Sequence, residues 1–160
     1  MAAKPPAKAV TSPAPKDWDV FRREPGLVLG FHGCDRSVAD KVLSGKAHLR
    51  ASANKYDWLG GGIYFWESDP WRAWMFAQEC VTNGHLTSGV VERPYVIGAV
   101  IDLGQCFNLL SASALQEVRD AHDYLEAVYK VFGEPMPANK GLEMGARFLD
   151  RAVIDTVHQQ

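Results

Sequence analysis

The sequence predicts an α+β fold, and three observations predict it. Short apolar runs bounded by glycine or proline, such as Leu27 to Phe31 and Tyr95 to Leu103, have the length and flanks of buried strands. Other segments carry apolar residues at threes and fours, the period of a helix packed along one side. The chain has 160 residues, 47% hydrophobic and 22% charged, which suits one globular domain with a single core.

Residues 1 to 16 are almost entirely Ala, Pro, Lys, Ser and Thr, a composition that cannot offset its ordering entropy by burial. A disordered tail is therefore expected over 1–18 and the domain over 19–160. The first strand, Leu27 to Phe31, follows Pro25-Gly26 and leaves His32 and Gly33 at its C-terminal end. Ser37 and Asp40 stand at capping-box spacing, Val38, Val42 and Leu43 share one side, and Gly45 follows, so a short helix is expected over 37–46. Gly60-Gly61-Gly62 then feeds Ile63 to Trp66, whose β-branched and aromatic residues predict a strand. Ser68 or Asp69 caps the next helix, Pro70 fits its first turn, and Ala73, Trp74, Ala77 and Gln78 carry it toward a stop at Asn83-Gly84.

Tyr95 to Leu103 predicts another buried strand, with Phe107 to Leu110 extending it past a bulge. From Ser113, the spacing of Leu115, Val118, Ala121, Leu125, Val128, Tyr129 and Phe132 predicts an amphipathic helix closed by Gly133. After a proline-containing turn, Leu142, Phe148, Leu149, Val153 and Val157 give a last helical pattern, still periodic where the chain stops.

Seventeen basic against nineteen acidic residues leave a net charge of −2, so nothing draws the whole chain to phosphate backbones or anionic lipid. Its apolar runs reach about half of the roughly 20 residues a membrane helix needs, and no signal peptide follows the N-terminal lysines. A cytoplasmic protein without membrane contact is expected. Cys34, Cys80 and Cys106 are odd in number and widely spaced, which supports neither a disulfide framework nor a zinc cluster. His48, His85, His122 and His158 have no partner at metal-ligand spacing, and no metal is expected. Cys34 follows His32-Gly33, but a small buried thiol explains it better than a nucleophile.

Three pieces in a fixed order carry the chemistry. They are Phe31-His32-Gly33, then Leu59-Gly60-Gly61-Gly62-Ile63-Tyr64-Phe65 followed by Ala73 and Ala77, then Ile97 to Gly104. The glycines fit neither a P-loop nor the spaced Gly-x-Gly-x-x-Gly of a Rossmann turn. The order resembles the diphtheria-toxin-like branch of the ADP-ribosyltransferases, which includes the poly(ADP-ribose) polymerases. The likeness covers residues 27 to 110. The stretch from Tyr56 to Glu67 is similar to one in small uncharacterised bacterial members, some toxin-like or linked to phage defence, which adds an antitoxin to the candidate partners.

The resemblance implies a split β-sandwich with flanking helices, its two small sheets pinching NAD, which is used as a substrate. His32 would hydrogen-bond a ribose hydroxyl, as imidazole can. Gly33 would present its backbone to the nicotinamide carboxamide, Gly62 would let the entry turn close over the ligand, and Tyr64 would stack on the nicotinamide. Trp74, or Phe76 beside it, falls where related enzymes set a second aromatic. Arg22, Arg23, Arg50 and Lys55 could meet the pyrophosphate, although solvated surface charge is their ordinary fate.

The implied reaction is mono-ADP-ribosylation of a protein or nucleic-acid acceptor. The family places its catalytic glutamate on a strand after the one matched by Ile97 to Gly104, and no such strand follows here. The expectation is a chain truncated at its C-terminus. The alternatives are another carboxylate in that role, for which Glu67 is the candidate beside the Gly-Ile-Tyr-Phe strand, or a catalytically inactive module that binds NAD or ADP-ribose.

Overall fold

The computed structural model describes residues 21–23, 26–141 and 145–159. The expected tail over 1–18 lies outside them, as does Leu142 of the last helical pattern. In chain order the elements are β1 (Phe21–Arg23), β2 (Leu27–Asp35), α1 (Arg36–Leu43), β3 (Trp66–Glu67), α2 (Pro70–Thr82), β4 (Pro94–Asp102), β5 (Gln105–Phe107), α3 (Ala112–Phe132) and α4 (Phe148–Val157). The architecture is α+β, with two small antiparallel sheets and helices around them.

β2 is the centre of the sheet β3-β2-β4, and β4 accompanies it along its whole length, from Leu27↔Asp102 to Asp35↔Pro94. On its other side β2 has a neighbour only briefly, through Gly30↔Glu67 and Phe31↔Trp66. The second sheet pairs β1 with β5, joining Phe21 to Phe107. The chain turns between β4 and β5 at Gly104, whose N–H donates to Asp102 Oδ1 at 3.1 Å. The run after Gly104 thus changes sheets, and the strand expected over 107–110 is found at Gln105–Phe107.

The helices start and stop on local chemistry. Asp69 caps α2 by accepting from Arg72 N–H at 2.8 Å, Pro70 occupies its first turn, and Asn83 ends it. Ser111 caps α3, which ends in the left-handed Gly133. α1 begins one residue before the expected Ser37, because Asp35 is its cap. α3 packs against α4, where Val153 and Ile154 are buried.

The strand alternation of β2 separates two faces. On one, Cys34 and Ile97 are buried with Ala39 of α1, and Val42, Leu49 and Tyr95 pack around them. On the other, α2 lies on the sheet through the buried Ala73 and Ala77. The closest approach is at Gly33, where an added Cβ would stand 2.2 Å from the Ala73 carbonyl oxygen. Among the described residues, no helix is long and apolar enough to cross a membrane.

Candidate functional site

The shortness of β3 opens the site. Ladder geometry makes the backbone groups of alternate residues on β2 point to the same side. The Leu29 carbonyl accepts from Ser68 N–H at 2.8 Å, on the β3 side. Phe31 and Gly33, in phase with Leu29, therefore also turn their N–H and C=O toward that side. Beside Gly33 there is no strand. In the ladder's register the residue opposite Gly33 would be Tyr64, but the expected strand over 63–66 has shrunk to Trp66–Glu67. The cause is a side chain, since His32 Nδ1 lies 2.8 Å from the Tyr64 carbonyl oxygen and takes the place of a ladder bond.

A cavity of about 790 Å³ opens there, lined by His32, Gly33, Gly62 and Tyr64 together with α1, the 47–58 loop and one side of α2. Its size is that of a small-molecule or cofactor site. The four residues that the sequence singled out from its His-Gly and glycine-tyrosine pieces thus share one wall. Because the carbonyl can only accept, His32 Nδ1 carries the proton and donates, so in the neutral ring Nε2 is left as an acceptor. The ring also lies 5.6 Å from that of Phe65.

Tyr64 is held from its far end, because its hydroxyl donates to the Gly60 carbonyl. Burial first, then the charge of Asp57, push the phenol pKa up, so this donor keeps its proton. Gly60 adopts φ 91°, open to glycine but strained for other residues, and packs near Ile154 and Asp155 of α4. Arg151 of the same helix donates to the Asn54 carbonyl at 2.9 Å and pairs with Asp155 at 2.6 Å. The last helix therefore braces the glycine turn. Gly62 closes it from the other side, bridging to Ser52 through hydrogen bonds of 2.7 and 3.2 Å. Replacing Tyr64 by phenylalanine removes one neutral hydrogen bond and is expected to lower stability by about 1 kcal/mol in a denaturant melt. An unchanged midpoint would mean that the Gly60 contact does not hold the turn.

Two expected residues stand elsewhere. Glu67 pairs with Gly30 on β3, is exposed, and is not among the residues that line the cavity. On α2, Arg72, Phe76 and Cys80 line the cavity at intervals of four, and Trp74, half a turn away, does not. The Phe76 ring lies 5.0 Å from that of Trp66, and the Arg72 guanidinium lies 5.5 Å from the centre of the same Trp66 ring.

Lys41, Arg50 and Arg72 line the cavity beside the imidazoles of His32 and His48, and these three fixed cations outnumber the two lining carboxylates, Asp35 and Asp57. Such a lining favours an anionic ligand. Of the other candidate cations, Lys55 is outside the lining, and the side chains of Arg22 and Arg23 are outside the described structure. Cys34 is buried, and burial with the adjacent Asp35 pushes its thiol up to about 11, so it is no nucleophile at neutral pH. Among the described residues no three His, Cys, Asp or Glu are grouped to hold a metal ion. Asp57, Ser52 and Lys41 had not been singled out from the sequence; the place of Asp57 in Tyr56-Asp57-Trp58, just before the glycines, was the available signal. No family model, curated protein or solved structure gives a match to this chain.

Proposed function

We propose that this cavity binds NAD and that the protein is an NAD-dependent mono-ADP-ribosyltransferase of the split β-sandwich type. One observation carries the reading: a histidine whose Nδ1 is bound to the Tyr64 carbonyl, the backbone of Gly33 beyond the end of β3, and a tyrosine ring held by its hydroxyl meet at the lining of one cavity. Each matches a separate part of a nicotinamide riboside. The imidazole Nε2 accepts from a ribose hydroxyl, and the Gly33 N–H and C=O complement the carboxamide, which has one acceptor and two donors. The Tyr64 ring offers its π-face to a cationic pyridinium, an attraction of about 0.5–2 kcal/mol depending on desolvation. The cationic lining suits the pyrophosphate.

The test is calorimetric titration of NAD into the parent chain, His32→Ala and Tyr64→Ala, with nicotinamide release followed in parallel. Each substitution is expected to weaken binding about tenfold, the loss of one hydrogen bond or stacking contact of some 1.4 kcal/mol. A folded parent that does not bind NAD would overturn the reading. Binding without release would describe an inactive NAD-binding module of the same fold.

A further inference from the structure

Cleaving a nicotinamide–ribose bond leaves positive charge on the sugar, and an anion fixed beside that charge lowers the barrier. Among the described residues, two carboxylates line the cavity. Asp35 is committed to the backbone: Oδ1 accepts from Ser37 N–H at 2.7 Å, and Oδ2 from Glu92 and Arg93 N–H at 3.0 and 2.8 Å. It is also buried, with 7% of its surface exposed.

Asp57 differs on both counts. It is half-buried, its Oδ2 accepts from the Ser52 hydroxyl, and no donor among the described residues reaches its Oδ1. A tight turn fixes its position, because Asp57 N–H donates to the Asn54 carbonyl at 3.3 Å and Gly60 N–H to the Asp57 carbonyl at 3.0 Å. The Gly60 carbonyl in turn receives the Tyr64 hydroxyl, which ties the carboxylate's turn to the aromatic ring of the site. One carboxylate oxygen is anchored, the other has no donor among the described residues, and the residue lines the cavity.

Resting on the reading of the cavity as an NAD site, we propose that Asp57 is the catalytic anion of this protein, stabilising the ribosyl cation as nicotinamide departs. The bond between the anomeric carbon and the pyridinium nitrogen breaks with both electrons passing to nitrogen, which yields neutral nicotinamide. A lone pair of a hydroxyl, amine or water acceptor then closes on the anomeric carbon, and the acceptor's proton passes to solvent. Asp57 stays ionised throughout and takes no proton. The role thus falls to a loop carboxylate held by a serine.

Asp57→Asn keeps the shape and the Ser52 hydrogen bond and removes the charge. Nicotinamide release at saturating NAD is expected to fall about 100-fold, the scale of one lost transition-state electrostatic contact. NAD affinity measured by calorimetry changes by less than about threefold, since positive charge reaches the sugar only on bond breaking. Asp57→Glu is expected to recover about tenfold over Asp57→Asn, and thermal melts of both variants establish that they fold. Release by Asp57→Asn within threefold of the parent would overturn the proposal, as would equal losses of affinity and turnover, the mark of a mere brace. A parent that binds NAD but releases no nicotinamide would also overturn it and leave NAD binding standing, whereas a parent that binds no NAD removes the underlying reading.

Discussion

Gly33→Ala is expected to destabilise the domain by about 3 kcal/mol, the upper end of the cost of overpacking a well-packed contact. The new methyl would lie 2.2 Å from the Ala73 carbonyl oxygen and 3.2 Å from the Ala77 Cβ. The nearer atom belongs to the α2 backbone, so no rotamer change relieves the clash; the helix must lift off the sheet. For a domain of this size the melting temperature should fall by roughly 10 °C. Gly62→Ala is the control, because a Cβ there meets nothing within 4 Å. Similar melting of the two variants would show that α2 does not sit on β2 as described. Gly33 consequently carries two demands at once, helix contact on its α-carbon and, under the proposed function, ligand contact through its peptide groups. Loss of NAD binding in Gly33→Ala alone would not separate them, which is why His32 and Tyr64 are the residues to test for the ligand.

Removing the Asp35 carboxylate is expected to cost about as much. Asp35→Ala leaves the N–H groups of Ser37, Glu92 and Arg93 without acceptors, at about 1 kcal/mol or more each. These bonds cap α1 and tie it to the segment before β4, so the damage spans residues far apart in the chain. The same contacts predict a pH dependence. Hydrogen bonding from the Ser37 side chain and then from Arg93 N–H outweighs burial and holds the carboxyl well below the usual aspartate range. A group depressed on folding stabilises the fold fully above its unfolded value, near 3.9, and loses that contribution as pH falls below it. The stability gap between the parent and Asp35→Asn, read from denaturant melts, should therefore shrink between pH 7 and pH 3. A gap that stayed constant would mean that the carboxylate is not charged and bonded as described.

Helices α2 and α3 were legible in the sequence because their boundaries depend on neighbours within a few residues. Asp69, Pro70 and Asn83 bound one, and Gly133 closes the other, whose start is capped by Ser111, two residues before the expected Ser113. Strands β2 and β4 were legible because they are long apolar runs between breakers. Where long-range partners decide, local reading failed. The cap of α1 fell on Asp35 instead of Ser37, since the same carboxylate also serves two N–H groups 57 and 58 residues away. Of the strand expected over 63–66 only Trp66 remains, because a histidine 32 positions before Tyr64 claims the Tyr64 carbonyl. The pairing of β1 with β5 was not anticipated, three-residue strands being too short to show a period.

The sequence by itself determined that an α+β domain would form and which apolar runs would be its central strands, conclusions that rest on periodicity and capping chemistry, both local. That His32, Gly33, Gly62 and Tyr64 belong together, with Trp74 and Glu67, was what the family resemblance implied. Only the tertiary structure decided which side chains face the cavity. It put Phe76 and not Trp74 in the lining through the rotation of α2, left Glu67 outside the lining, and brought Asp57 into it through a turn braced by α4. Facing is fixed by how elements pack against one another, and packing depends on contacts between residues that the chain keeps far apart.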